Sequence, residues 1–507
     1  MLNKYLDKEI YRVLLFSIIV LIISYFANYF EILFYRPQSI HFIRQTDSLS
    51  FVKNYYENGM HFFSPQTFNL ITTDGKAACE FPILYYLTAI LYFIFGEHEF
   101  ILRLINISIV FIGFYYVTKL SYLFLKDWIY SFLITFLVMS SSIVLYYANN
   151  FLPDIASLGF SLIGLFHFIN YTKNKKNKSL IYSYIFLTLA GLLKPTYMIF
   201  SFAIIGLYFI ELIGFKISNR KIYTSFKLLF SLSLASFLLV FSWYFYAISY
   251  NKISGDTYFL TNTTPMWKFS QDTIFSIFDI INKFWKNDYY PFYTFYFIYL
   301  SIAFNLIFYK NFNKLLKYFL PLLVLGGVSY FVLFFEKFKD HDYYILLFLP
   351  IIVFIFINST LAINNFFNKK ILKFAFYSFL LLLIGLSTRY GINNTNKRYT
   401  NEYVENYIFN KFEGIKPKLD SLKIDRKNTF IVIGDYTRNG SLYFMDKRGW
   451  TIKDTSNTAI SELKTALKND PNYLITTEDF YLENNNIKNI DKELILTYNK
   501  MNIYKLH

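Results

Sequence analysis

The chain has 507 residues, 55% hydrophobic and 22% aromatic, with only 17% charged and a mean hydropathy of +0.33. Soluble globular chains carry about a quarter charged residues, so this is the composition of a polytopic membrane protein. The net charge of +16 does not point to nucleic acid, because the lysines fall in short runs between apolar segments, the pattern of loops facing anionic lipid. No zinc spacing, phosphate loop of the G-x-x-x-x-G-K-[ST] type or dinucleotide fingerprint is present. The single cysteine, Cys79, excludes an intrachain disulfide.

A spanning helix needs about 20 apolar residues. In chain order the candidates are Val13–Leu33, Ile101–Leu125, Trp128–Tyr147, Ile155–Tyr171, Leu180–Leu193, Tyr197–Phe215, Phe226–Tyr250, Phe292–Phe308, Tyr318–Phe335, Tyr344–Ile363 and Leu372–Thr388. That makes about eleven spans. The first is too long, and too poor in a small-residue cleavage site, for a removable signal peptide, so it stays as an anchor. Phe81–Phe95 is apolar but short, bounded by Pro82 and Gly96, and reads as an interfacial or re-entrant segment.

Between the first two spans lies a polar, aromatic stretch, His41–Pro82, with Arg44, Asp47, Lys53, Glu57, Asp74, Lys76 and Glu80. A loop this long, too aromatic for disorder, is expected to be ordered and functional. With Phe81–Phe95 not counted as a span, the basic runs at Lys4/Lys8/Arg12, Lys126, 173–178, Lys216/Arg220/Lys221, Lys310/Lys314/Lys317 and Lys369/Lys370/Lys373 share one face. By the positive-inside rule that face is cytoplasmic. The N-terminus is then cytoplasmic, and the loop 34–100 and the C-terminal region lie outside.

After about residue 388 the composition turns polar. Thr429–Gly434, Tyr473–Thr476, Leu494–Tyr498 and Met501–Leu506 read as strands and Ile460–Lys468 as an amphipathic helix. The expected division is therefore a membrane domain, 1–388, and a small extracytoplasmic α/β domain, 389–507. Gly434-Asp435 reads as a strand-ending turn, since no glycine-rich loop and helix follow.

Several ionisable groups fall on the outer face. Asp47 and Glu80 are in the first loop, Asp154 follows Pro153 at a helix start, Lys194 sits at a Leu-Lys-Pro-Thr reversal, and His341-Asp342-Tyr343-Tyr344 opens a later span. Ionisable residues at membrane depth are costly and commonly line a cavity or pathway. Each has a plainer role open to it: Asp154 complements a helix dipole, Lys194 snorkels to headgroups, and His341 sits with tyrosines at the interface. Asp47 has no such capping or packing role.

The motifs R-Q-T-D at 44–47, G-M at 59–60, E-F-P at 80–82, F-G at 95–96, R-L at 103–104, N-x-x-P-D at 150–154, L-x-K-P-T at 192–196 and H-D-Y-Y at 341–344, in that order, resemble the GT-C superfamily of membrane glycosyltransferases. The branch is that of the protein O-mannosyltransferases and the lipid A aminoarabinose transferases. The resemblance implies an all-α, polytopic GT-C fold with interfacial helices in the first outer loop, and a sugar donor on a polyprenyl phosphate. It implies catalytic roles for Asp47, as general base with inversion, and for Asp154. Many members carry Asp-Glu at the first site, where this chain has Asp47-Ser48.

The leaving lipid phosphate needs cations rather than a general acid; Lys194, Arg103 or Lys76 suit that task. Arg44, Glu80, His341 and Tyr344 complete the expected substrate-binding set. The resemblance leaves a divalent metal open, with Glu80 or Asp154 as its ligand, but no histidine cluster accompanies them. The implied partners are the bilayer, the polyprenyl-phosphate sugar and a glycolipid, glycan or protein acceptor, with no nucleic acid. The implied location is a bacterial inner (plasma) membrane, with the C-terminal domain periplasmic. The rival reading is a flippase or transporter of lipid-linked sugars or polysaccharide. It would place charges mid-span and show paired, interrupted helices in two halves, which the sequence lacks. An oligosaccharyltransferase would need a larger C-terminal domain.

Overall fold

The computed structural model describes residues 2–218, 221–260, 263–366, 370–400 and 407–507; Arg220 and Lys369 of the basic runs lie outside these. It divides into two compact units. One comprises Met1–Leu33, Arg103–Trp243 and Asn262–Lys397; the other comprises Phe34–Leu102, Tyr244–Thr261 and Arg398–His507.

The first unit is helical. Among the described residues of the whole chain, eight helices are long and apolar enough to cross a bilayer, or up to ten if each of two bent pairs is one span. Ten of the expected spans coincide with these; the eleventh, Leu180–Leu193, lies on helix Asn177–Leu193, whose 17 residues include Asn177, Lys178, Ser179, Ser183 and Thr188.

Trp128–Tyr147 is a bent pair, with helices Trp128–Met139 and Ser142–Ala148 meeting at 78°. The break falls at Ser140-Ser141, where the Ser140 hydroxyl donates 2.7 Å to Leu137 O; serine pairs are common kink sites. The second pair, Gln271–Tyr289 and Phe292–Ile307, bends by 101° at Pro291, which cannot continue the hydrogen-bond ladder. Helices Phe100–Leu125 and Asp154–Asn174 cross at Gly113 and Gly159. A Cβ on Gly113 would lie 2.7 Å from Gly159 Cα, so only small residues allow the approach.

The second unit joins the first loop to the C-terminal region. Helix Phe42–Glu57 runs without Gly or Pro until Asn58-Gly59, where Gly59 takes φ +89°. Helix Ile83–Phe95 has 13 residues and ends at Gly96, φ +86°. At 1.5 Å per residue it is about 20 Å long, short of the roughly 30 Å hydrocarbon core.

The sheet has strands β1 (Thr429–Ile433), β2 (Arg448–Ile452), β3 (Tyr473–Thr476), β4 (Lys492–Tyr498) and β5 (Met501–Leu506), in the order β2-β1-β3-β5-β4. β2, β1 and β3 are parallel, and β3, β5 and β4 antiparallel. Helix Asn457–Leu467, capped by Ser456, lays Ile460, Leu463 and Ala466 on Ile431, Ile433 and Leu474. The β2 edge is covered by the first loop: Leu70 N donates to Gly449 O at 2.7 Å and Gly449 N to Phe68 O at 3.2 Å. Pairing hides an edge that would otherwise template aggregation.

Candidate functional site

Two polar clusters form, one in each unit. In the unit that carries the sheet, Asp47 lies in the second turn of helix Phe42–Glu57 and is fully buried. Its Oδ1 accepts a 2.7 Å hydrogen bond from Asn439 Nδ2, and its Oδ2 a 3.1 Å bond from the Tyr258 hydroxyl. Arg438 pairs with Asp256 at 2.6 Å and lies 5.0 Å from the Tyr258 ring centroid.

The loop that brings in Arg438 and Asn439 is shaped by Asp435. This carboxylate accepts from Thr437 N at 2.7 Å, Thr437 Oγ1 at 2.6 Å and Ser441 N at 3.1 Å. Asn69 pins the same loop from the other side. Its amide donates 2.7 Å to Arg438 O, and its backbone N donates 3.1 Å to Asn439 Oδ1. The expected turn at Gly434-Asp435 is thus also the frame of the loop that holds Asp47.

Burial pushes the Asp47 carboxyl above the ordinary carboxylate range, opposed by the charge of Arg44, the Asn439 bond, the charge of Arg438 and the Tyr258 bond. Glu80 differs. Burial opposes its ionisation too, but Arg44, at 3.1 and 3.2 Å, and the Tyr85 hydroxyl, which donates to Oε1, outweigh that and hold Glu80 below its usual range. One carboxylate is kept basic and the other kept charged, the usual way an environment separates two acids. Lys76 does not enter this cluster; it is partly exposed and pairs with Asp74 at 3.4 Å.

In the helical unit, three motifs far apart in sequence converge. Asn106 Nδ2 donates to Asn150 O at 2.9 Å and Leu152 O at 3.1 Å, fixing the turn that leads to Asp154. Lys194, where Pro195 interrupts the chain after helix Asn177–Leu193, donates to the Asp154 carboxylate. Its ammonium sits 4.9 and 4.3 Å from the ring centroids of Tyr343 and Tyr344. His341 lies against the same two rings, at 5.3 and 5.2 Å. Asp342 is buried and accepts from the Tyr147 hydroxyl at 2.5 Å. Arg103 is also in this unit, fully buried, its guanidinium 4.1 Å from the Phe151 ring centroid.

No group of three His, Cys, Asp or Glu side chains that would hold a metal ion occurs among the described residues. Glu80 faces Arg44, and Asp154 faces Lys194. A carboxylate already matched by a cation, with no second acid, histidine or thiolate cluster among the described residues, fits a divalent-metal site poorly.

Residues 79–246 match the family described as dolichyl-phosphate-mannose-protein mannosyltransferase. In three dimensions the chain is similar to ArnT from Cupriavidus metallidurans in the apo state, with 10% identity, 97% of each chain covered and a TM-score of 0.63. The chain has the GT-C fold. ArnT bound to undecaprenyl phosphate superposes equally well, again with 10% identity and 97% of each chain covered, at a TM-score of 0.62. The mycobacterial arabinofuranosyltransferase AftD matches with 9% identity and a TM-score of 0.56 over 97% of this chain, which spans 40% of that larger protein. No curated protein matches in sequence.

Sequence reasoning missed Asn439, Tyr258, Arg438 and Asp256. Asn439 stands 392 residues from Asp47, and neither it nor Tyr258 sits in a motif. Only Asp435, a buried acid directly after a strand and its glycine, offered a signal that the following loop was built for a purpose.

Proposed function

We propose that the chain is an integral membrane glycosyltransferase that takes a sugar from a polyprenyl phosphate and passes it to a hydroxyl of a lipid, glycan or protein acceptor. The observation that carries this reading is the setting of Asp47: a buried carboxylate of raised proton affinity, braced by two neutral donors beside Arg44 and Arg438. The GT-C fold supports the donor class, as does the undecaprenyl phosphate bound to the similar ArnT structure.

In the proposed reaction the acceptor hydroxyl takes the place of the Tyr258 hydroxyl as donor to Asp47 Oδ2. An ionised carboxylate oxygen accepts a hydrogen bond from a hydroxyl of either kind. The acceptor oxygen attacks the anomeric carbon as the bond from that carbon to the phosphate oxygen breaks. Its proton passes to Asp47, the bonding electrons leave with the lipid phosphate, and the anomeric centre inverts. Arg44 and Glu80 belong to the substrate-binding set, with Glu80 keeping Arg44 in place.

In the helical unit, Lys194 carries the positive charge for the lipid phosphate. Asp154 aims it, and Tyr343 and Tyr344 form an aromatic wall that His341 backs. The domain 389–507 lies on the outer face of a bacterial plasma membrane, with the N-terminus cytoplasmic, as the distribution of lysines supports. The test is transfer of label from undecaprenyl-phosphate sugars to a cell-envelope extract. Wild type transfers, and Asp47→Asn binds the donor lipid but does not. Undiminished transfer by Asp47→Asn would remove Asp47 from the mechanism.

A further inference from the structure

A cleft of about 700 Å³ opens between the sheet and the first loop, within the unit that carries both. We infer that it is a saccharide-binding subsite that holds the glycan portion of the acceptor, an inference that rests on the glycosyltransferase reading above. Its volume falls within the roughly 300–1,000 Å³ typical of small-molecule sites.

One wall is a polar stripe on helix Asn457–Leu467: Thr458, Ser461, Glu462 and Thr465, spaced so that they share one face. Trp450 of β2 also borders the cleft, its indole largely buried in the sheet's core. Thr72 of the first loop also lines the cleft. It is 2% exposed, and its hydroxyl has no hydrogen-bond partner; a buried hydroxyl left so is costly unless a ligand completes it.

Asp74, paired with Lys76 at 3.4 Å, and Glu462 contribute carboxylates, and no Lys, Arg or His itself lines the cleft among the described residues. Hydroxyls, a carboxamide at Asn469 and acids suit a neutral polyhydroxylated ligand and disfavour a phosphate or other anion. The cleft also shares a framework with Asp47. Asn69 Nδ2 donates 2.9 Å to Thr451 Oγ1 on the cleft wall, while the same side chain holds Arg438 and Asn439. A glycan seated there would bear directly on the loop that braces the carboxylate.

The test uses the full chain in lipid nanodiscs, with cellotetraose, chitotetraose and mannotetraose as probes and saturation-transfer NMR as the readout. At least one tetrasaccharide should bind wild type. Ser461→Ala/Thr465→Ala and Glu462→Gln, all at exposed positions, should weaken it about tenfold, the loss expected from one or two hydrogen bonds, with thermal unfolding unchanged. Thr72→Val should do the same without altering a charge. Asp47→Asn should bind the probe as wild type does. Failure of all three probes to bind, or binding undiminished in the cleft variants, would overturn the inference. Saccharide binding lost only in the cleft variants, with no transfer from any donor, would overturn the glycosyltransferase reading and leave the saccharide site standing.

Discussion

Removing the Asn439 amide takes away the leading hydrogen bond among the influences that favour the charged form of Asp47, after the charge of Arg44. Its Nδ2 donates to Asp47 Oδ1 at 2.7 Å in a fully buried setting, and it favours the charged form. A hydrogen bond to a charged group contributes about 1.5–3 kcal/mol. Without that donor, Asn439→Ala should push the carboxyl still further above the ordinary carboxylate range. The sign follows: losing a donor to the carboxylate disfavours the charged base, so the acid limb of kcat/KM moves to higher pH. Asn439→Asp, which faces Asp47 with a like charge, should move it further. The assay is transfer from the labelled undecaprenyl-phosphate sugar that wild type accepts, followed from pH 5 to 9. An acid limb that stays in place, or moves to lower pH, would refute the assignment of Asp47 as base.

Other expectations follow from the same geometry. Because the folded pKa of Asp47 lies above its unfolded value, its contribution to stability is complete at low pH and is lost as pH rises through the folded pKa. Asp47→Asn should therefore melt no lower than wild type at pH 8, with any advantage vanishing in acid, as differential scanning fluorimetry would show. Lys194→Met leaves Asp154 buried without its cation and should cost about 3–5 kcal/mol. Adding Asp154→Asn should restore the melting temperature but not binding of undecaprenyl phosphate, read by native mass spectrometry. Gly434 has φ +92°, and a Cβ there would lie 1.9 Å from Thr477 Oγ1. Gly434→Ala should destabilise the unit by at least about 2 kcal/mol and lower transfer through the loop that Asp435 shapes, visible as faster hydrogen exchange at 435–441.

The features legible in the sequence were those with a long apolar period or a charged group out of place. Phe226–Ser254 and Phe100–Leu125 declare themselves by length, and the short strand Tyr473–Thr476 by its apolar run between polar turns. Asp47, Asp154 and Lys194 stood out because a charge near the membrane needs a reason. What stayed hidden was set by tertiary contact. β2, with Gly449 and two polar residues in five, has too little alternation to read as a strand. It holds because a Cβ on Gly449 would fall 1.9 Å from Phe430 O and because the first loop pairs with its edge. The partners of Asp47 were invisible for a simpler reason: an asparagine and a tyrosine hundreds of residues away carry no local pattern.

In the proposed reaction the sugar leaves its lipid carrier for an acceptor, rather than crossing the bilayer with it. The most direct test is mass spectrometry of proteoliposomes supplied with an undecaprenyl-phosphate sugar and an envelope acceptor extract. A transferase releases free undecaprenyl phosphate, in step with a glycosylated acceptor of inverted anomeric configuration. Intact lipid-linked sugar appearing in the opposite leaflet, with no undecaprenyl phosphate released, would contradict that reaction and make the protein a flippase.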